Sequence, residues 1–165
     1  MPAMQTTTPT STSAAELMFL GSRCRILATS ASTGGKYGLV DMIEVQAGNT
    51  PPLHIHHTHD EGFLLLEGEL SLFLPEREIT LRRGEFVLAP RGIAHTYQVG
   101  DSPARWLVLS TPPGFEQFVE DVAALDEVTP DALTGTGAVY AVLGAGVALI
   151  AYRLRTHVAA ATPAG

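Results

Sequence analysis

The chain has 165 residues, of which 45% are hydrophobic and 16% are charged, so it can bury a core and is sized for about one domain. Its 10 Lys and Arg against 17 Asp and Glu leave a net charge of -7, which argues against nucleic acid or an anionic membrane surface as a partner of the domain. The single cysteine, Cys24, excludes an intramolecular disulfide framework and any Cys-rich zinc module.

The first segment, residues 1–15, consists of Thr, Ser, Pro and Ala with almost no bulky apolar side chain. Such a composition cannot bury enough surface to offset the entropy of ordering, so we predict a mobile arm. It also lacks the basic and apolar stretches of a secretory signal. Together with the lone cysteine, this favours a cytoplasmic location.

Short apolar or alternating runs, separated by Gly, Pro and Asp, occupy the chain from about Cys24 to Ser110. Strands at this spacing predict an all-β sandwich or barrel. None of the intervals is long enough for a βαβ crossover helix, so a parallel α/β sheet is not expected. The predicted strands are Arg25–Thr29, Tyr37–Val45, Phe63–Glu67, Leu70–Leu74, Ile79–Leu81, Phe86–Ala89, Ala94–Val99 and Trp106–Ser110.

The periodicity becomes helical after residues 111–114. Apolar side chains recur there at helical spacing, while Glu116, Glu120 and Asp121 lie elsewhere on the helical wheel. We predict an amphipathic helix of about three turns that docks on the barrel, in preference to one that binds a partner. Its apolar face comprises Phe115, Phe118, Val119, Val122 and Leu125.

Five of the six histidines lie between positions 54 and 95. His54 and His56 follow two prolines, which favour an extended backbone, and residues two apart share one face of a strand. A short turn would bring the next strand back alongside, with Glu61 facing this pair, and His95 opens a later strand. The spacing permits three imidazoles and one carboxylate, a set that suits Fe, Mn, Ni, Co, Cu or Zn with open positions. The alternative is a solvated, adventitious metal-binding tract.

Two motifs in this region resemble those of the cupin superfamily. Residues 48–68 (GNTPPLHIHHTHDEGFLLLEG) match the first cupin motif at every fixed position, and residues 84–95 (GEFVLAPRGIAH) match the second up to its final Asn. That Asn would fall on Val99. The resemblance spans roughly residues 24–125 and is strongest to the small single-domain cupins grouped with quercetin 2,3-dioxygenases.

The resemblance implies a small cupin β-barrel, a double-stranded β-helix or jelly roll, that binds one divalent metal at its centre. By position, the metal ligands would be His54, His56, Glu61 and His95. Cupins often pair through their sheets, so a homodimer is left open. The loss of the motif Asn at Val99 removes a polar group near the site.

His57, His59 and Asp60 lie next to these candidate ligands in the sequence. His57 has the opposite strand parity to His54 and His56 and should point away from the metal. His59 lies in the turn and is expected to be solvent-exposed rather than to relay protons. Asp60 would replace Glu61 as a ligand only if the turn were one residue shorter.

Apolar and aromatic residues that share strand parity with the ligands are predicted to wall the cavity: Phe63, Leu65 and Tyr97. An ordinary core role is compatible with this prediction. Trp106 could belong to the cavity wall or to the barrel core, and the sequence does not decide between them.

Such a centre suits a small substrate with an enol or enediol that binds through its oxygens. The metal would lower the substrate's pKa by stabilising the enolate, Glu61 would accept the proton, and the enolate would then react with O2. This predicts a dioxygenase that cleaves a flavonol-like or diketone-like molecule. The alternatives are an isomerase or decarboxylase that needs no O2, and a non-catalytic cupin that binds a small ligand or metal.

The C-terminal segment from Leu133 to Tyr152 holds twenty residues without a charge. A helix of that length spans about 30 Å, the thickness of a bilayer core. The alternatives of a transmembrane helix and of a buried element on the barrel or a second subunit both stay open. We therefore divide the chain into an arm (1–15), the barrel (16–111), the docking helix and linker (112–130), and the apolar segment with its basic tail (131–165).

Overall fold

The computed structural model describes residues 14–51, 53–124 and 147–149. Within these ranges the chain folds almost entirely into antiparallel strands, and two helices accompany them. The elements are β1 (Glu16–Phe19), β2 (Ser22–Ala28), α1 (Ser30–Thr33), β3 (Gly38–Val45), β4 (His54–His56), β5 (Asp60–Glu67), β6 (Leu70–Leu74), β7 (Arg77–Leu81), β8 (Phe86–Ala89), β9 (Thr96–Val99), β10 (Ala104–Thr111), α2 (Phe115–Ala123) and β11 (Val147–Leu149).

The strands form one large sheet and two small ones. The large sheet has the order β1-β2-β3-β10-β5-β8, a second has the order β7-β6-β9, and β11 pairs with β4. Along β10, buried and half-buried residues alternate strictly, as expected for a strand with one face against a core. The all-β class is therefore confirmed, and neither helix of the described residues serves as a parallel crossover.

Apolar side chains from the large sheet and from the three-stranded sheet form one continuous core cluster. Trp106 and Leu65 of the large sheet and Leu70 and Leu72 of β6 are all completely buried. The core therefore lies between the two sheets. Trp106, which the sequence left undecided, is a core residue.

The turn between β5 and β6 depends on Gly68. Its φ is +79°, and a Cβ atom at this position would lie 2.7 Å from the carbonyl oxygen of Pro103. Only glycine meets both conditions without strain. This explains physically why the last position of the first motif is glycine, since the turn carries the chain from β5 of the large sheet to β6 of the second.

Helix α2 docks on the barrel, as predicted, but is shorter than three turns and carries a different polar pattern. Phe115 and Phe118 pack edge-to-face on Phe19, with ring centroids 5.7 and 5.3 Å away, while Leu125 lies outside the described residues. Glu116, which the helical wheel places away from the apolar residues, is nevertheless only 3% exposed. It is buried because hydrogen-bond donors from distant parts of the chain meet it there.

Most of the apolar segment 133–152 lies outside the described residues, as does nearly all of the predicted arm. The part that is described is β11, whose backbone pairs antiparallel with β4, placing Val147 opposite His56 and Leu149 opposite His54. Within the described residues, no helix combines the length and apolar character needed to cross a bilayer. The division of the chain into domains stays a prediction.

Candidate metal centre

Strand β4 carries His54 and His56 and is joined to the segment around His95 by backbone hydrogen bonds. The amide of His54 donates to the carbonyl of His95 at 3.0 Å, and the amide of His95 donates back to His54 at 2.9 Å. The amide of Gly92 donates to the carbonyl of His56 at 2.7 Å. These bonds bring the two histidine-bearing segments side by side although about 40 residues separate them in the chain.

The turn before His95 is built on Gly92. The amide of Ile93 donates to the carbonyl of Pro90 at 3.3 Å, and Gly92 has a φ of +77°, a left-handed conformation that glycine adopts at little cost. The turn follows β8 directly. It reverses the chain so that His95 returns to β4.

Glu61 comes from a different sheet. It lies on β5, between Ala89 of β8 and Ser110 of β10. The expectation that β5 would return alongside β4 was wrong, because β5 forms its ladders with β8 and β10 instead. Glu61 nevertheless reaches the histidines, because its side chain points into the interior from the large sheet.

The four predicted ligands meet at one point. The Glu61 Oε2 atom lies 3.0 Å from His56 Nε2 and 3.1 Å from His95 Nε2. One ligand atom from each of His54, His56, Glu61 and His95 lies within 4.8 Å of the others. His54 is half-buried and the other three are buried. Such a cluster has the size of a single-ion site.

Electrostatics at this point are dominated by the contact between Glu61 and the imidazoles. Burial acts to raise the pKa of Glu61, but the charges and hydrogen bonds of His56 and His95 outweigh it and hold that pKa well below its usual range. Burial likewise acts to lower the pKa of His95, but Glu61 outweighs it and raises that pKa. The centre therefore favours an ionised carboxylate facing its histidines.

The second ring nitrogens of the histidines show how the rings are held. Nδ1 of His95 lies 3.1 Å from the carbonyl oxygen of Ile93, a bond that requires Nδ1 to carry the proton. With Nδ1 protonated, Nε2 is the nitrogen that can give its lone pair to a metal in place of its bond to Glu61, as in metal-binding histidines. Nδ1 of His56 is buried and has no hydrogen-bond partner in the described protein. Three imidazoles and a carboxylate converging in this way fit a divalent transition metal.

Comparison with known proteins agrees with this geometry. The family model described as "Cupin domain" matches residues 41–110. Those residues are similar to cupin domains. They contain both motifs and all four clustered side chains, so the match covers the part of the chain that carries the site.

Two curated relatives are each 30% identical to the chain. One is quercetin 2,3-dioxygenase of Bacillus subtilis, matched over 94 residues that make up 57% of this chain and 28% of that protein. The other is an uncharacterised protein of Methanocaldococcus jannaschii, matched over 81 residues that make up 48% of this chain and 64% of that protein. The chain thus spans less than two thirds of either relative.

Solved structures support the fold. The polyketide cyclase RemF of Streptomyces resistomycificus superposes with a TM-score of 0.53 and 22% identity, over 66% of this chain and 80% of that one. KdgF of Halomonas sp. superposes with a TM-score of 0.52 and 18% identity, over 59% of this chain and 86% of that one. At these identities the likeness concerns the fold alone.

The cupin turn between His56 and Glu61 holds His57, Thr58, His59 and Asp60. His57 is exposed, as strand parity predicted. His59 was expected to be exposed and is completely buried, so that prediction was wrong. Burial, together with the nearby charge of His56, lowers the pKa of His59 to about 4. Parity says which face a strand residue occupies, but it gives no direction for a residue inside a turn.

Asp60 lies outside the four-residue cluster because Arg91 binds it. The Asp60 Oδ1 and Oδ2 atoms accept hydrogen bonds from the Arg91 guanidinium at 2.9 and 3.0 Å, and these bonds hold the pKa of Asp60 at about 2. Arg91 also donates to the carbonyls of Thr58 and Thr111, at 3.2 Å each. Sequence reasoning missed Arg91, which fastens the histidine turn to β10. Its place between the Pro and Gly of the second motif was the available signal.

Of the predicted cavity residues, Phe63 contacts the cluster and Tyr97 contacts Phe63. The ring of Phe63 lies 6.3 Å from His95 and 6.2 Å from Tyr97, and Tyr97 lies 5.2 Å from Trp106, all edge-to-face. Leu65 is completely buried in the core cluster. Whether Phe63, Leu65 and Tyr97 line a substrate cavity stays a prediction.

Val99, at the position of the missing motif Asn, is an ordinary core residue. It is 1% exposed, pairs with Leu70 of β6, and its amide donates to the carbonyl of Asn49 at 2.9 Å. The valine side chain offers no polar group there. The backbone bond nevertheless joins β9 to the loop that leads into β4.

Proposed function

We propose that this protein is a metal-dependent cupin enzyme that acts as a dioxygenase on an enolisable small molecule, flavonol-like or diketone-like. The observation that carries the proposal is the convergence of His54, His56, Glu61 and His95 within 4.8 Å. The 30% identity to a quercetin 2,3-dioxygenase over 94 residues supports the choice of reaction class.

The same four residues would hold the metal. A divalent transition metal bound there supplies Lewis acidity toward a substrate oxygen and, where it is redox-active, a route for O2 chemistry. Three imidazoles would bind a metal as neutral ligands, so the carboxylate of Glu61 would offset one of the two positive charges of the metal ion.

Glu61 is the group of this chain best placed to take a proton from the substrate. Its carboxylate is 3% exposed and lies at the centre of the cluster. A substrate hydroxyl that reached the half-buried side of His54 would come within reach of that carboxylate, and removal of its proton generates the enolate. The buried surroundings limit competition by water.

The aromatic residues on the barrel side support a planar substrate. The ring of Phe63 lies edge-to-face with His95, and that of Tyr97 lies edge-to-face with Phe63. Such rings contact a flat conjugated molecule over a large area and at a small entropic cost. They would orient its oxygens toward the cluster.

The test is metal analysis of untagged protein followed by O2-uptake measurements over a panel of flavonols and diketones. We expect one metal ion per chain and O2 consumption in proportion to substrate lost. Substrate turnover without O2 uptake would instead establish an isomerase or decarboxylase. Bound metal with no turnover of any enolisable compound would favour a non-catalytic binding cupin.

A further inference from the structure

His59 is the buried polar side chain next to the cluster that the proposed function does not use. It is completely buried, and its ring lies 4.4 Å from that of His56, closer than the 5.2 Å between His56 and His95. The two rings are tilted by 42° and share no direct hydrogen bond. His59 is not among the residues whose ligand atoms converge.

Each of these two stacked rings has one buried nitrogen without a hydrogen-bond partner in the described protein. On His56 this is Nδ1, and on His59 it is Nε2. A buried polar atom that stays unpaired is costly, so unpaired nitrogens on two neighbouring buried rings point to a shared partner. A single water can satisfy both when one is a donor and the other an acceptor.

The other ring nitrogen of His59 contacts the neighbouring threonine. Nδ1 of His59 lies 3.2 Å from the hydroxyl oxygen of Thr58. If Nδ1–H donates to Thr58, Nε2 is left with a lone pair and is an acceptor. If a metal takes the lone pair of His56 Nε2, which is directed at Glu61, the neutral ring carries its proton on Nδ1, and Nδ1–H is then a donor.

We propose that His59 is a positioning residue for the metal site: its Nε2 accepts, through one bridging water, the Nδ1–H of His56. His56 thereby obtains the second-nitrogen partner that His95 has in the carbonyl of Ile93. Metal-binding histidines are commonly fixed in tautomer and orientation in this way. The inference rests on the metal binding of the proposed function.

The test titrates Co²⁺ into the full chain and follows its visible d–d absorption. His59→Phe keeps the ring but removes both nitrogens, and His57→Phe is the matched control at an exposed histidine of the same turn. We expect His59→Phe to bind Co²⁺ about 10–100-fold more weakly, with a shifted absorption band, as is usual when such a supporting partner is lost. His57→Phe should match wild type.

The outcomes separate the two proposals. If wild type binds no Co²⁺, the proposed function fails, and this inference fails with it. If wild type binds and His59→Phe shows the same affinity and spectrum, His59 only fills space and this inference alone is overturned.

A measurement on wild type covers the case in which His59→Phe does not fold. Long-range ¹H–¹⁵N correlation spectra of the Zn²⁺-loaded chain should show His59 neutral with its proton on Nδ1. They should also show a slowly exchanging Nδ1–H on His56. A proton on Nε2 of His59 would overturn the inference.

Discussion

Two glutamates, Glu61 and Glu116, are equally buried at 3% exposure, yet their surroundings differ. Glu116 accepts hydrogen bonds from the Ser110 hydroxyl at 3.0 Å and from the backbone amides of Gly114 and Ser30 at 2.9 and 3.2 Å. Its partners are neutral donors that hold one orientation. Glu61 instead faces two imidazoles through a single oxygen.

The contrast separates a structural carboxylate from a functional one. Glu116 joins α2 to β10 and to the start of α1, because its carboxylate accepts hydrogen bonds from Ser110 and Ser30. Around Glu61 the partners are two imidazoles of the candidate metal cluster, and Nδ1 of one of them, His56, is left without a partner in the described protein. Burial alone therefore does not mark a site, whereas the identity of the partners does.

The largest effect should come from the histidines around Glu61. His56→Ala removes one ligand from a cluster of four, so we expect metal in the purified protein to fall from about one ion per chain to background. His57→Ala, one residue away and exposed, should keep its metal. Elemental analysis of both variants checks this. Equal loss in the two would mean that strand parity does not define the site.

Removing the charge of Glu61 should cost turnover more than metal. Glu61→Gln keeps the shape but cannot accept a substrate proton, so we expect turnover to fall about 10²-fold or more. Three histidines can still retain part of the metal. The measurement is the initial rate on the substrate found by the O2-uptake screen, normalised to bound metal.

Asp60→Asn is the matched control for Glu61→Gln. Asp60 is bound by Arg91 and lies outside the cluster, so this variant should retain most of its turnover. Full activity in Glu61→Gln together with loss in Asp60→Asn would transfer the proton-accepting role to Asp60.

The four clustered residues were predicted from the resemblance to the cupin motifs, and local rules only permitted the set. Two histidines on one strand face and a Pro-x-Gly turn before His95 are visible without knowledge of the tertiary structure. The strands Leu70–Leu74 and Phe86–Ala89 were predicted with their observed bounds for the same reason. Their apolar runs end at turn residues.

The burial of Glu116 could not be predicted, because it depends on a partner far along the chain, and that of His59 could not because strand parity gives no direction inside a turn. Glu116 receives the amide of Ser30, 86 residues away, and the strand order that permits this contact is not a local property. β1 was missed because four residues with exposed positions give almost no periodic signal. The four-residue helix α1 was missed for the same reason.

Substitution of Glu116 should reduce the stability of the fold moderately, whereas substitution of Glu61 should chiefly reduce turnover. Glu116→Gln offers one acceptor oxygen to three donors, so we expect a loss of about 1–3 kcal/mol in the free energy of unfolding. Urea unfolding midpoints measure it. Gly38→Ala should also destabilise the fold, because a Cβ there would collide with the Glu116 carboxylate.

Metal content should stay at the wild-type level in Glu116→Gln wherever the protein remains folded. If a folded Glu116→Gln protein had lost its metal, Glu116 as well as Glu61 would be needed for metal binding. The proposed distinction between them would then be wrong.

The smallest expected effect is on metal affinity and comes from β11, which pairs with β4. Ala148→Pro removes a backbone N–H from β11, which pairs with β4. We expect only a slight fall in metal affinity, because β4 is also held by the reciprocal backbone bonds between His54 and His95. Titration of the variant and of wild type with Co²⁺ checks this.

The same strand bears on whether residues 133–152 span a membrane. A helix in a bilayer bonds its backbone internally, so residues 147–149 cannot pair with β4 and lie in such a helix at the same time. We therefore expect wild type to remain in the supernatant when cells are fractionated without detergent. Recovery in the membrane pellet would contradict the pairing. The double variant Val142→Lys with Leu149→Lys should then release the protein, since each charge in the hydrocarbon costs roughly 2.5–3.5 kcal/mol.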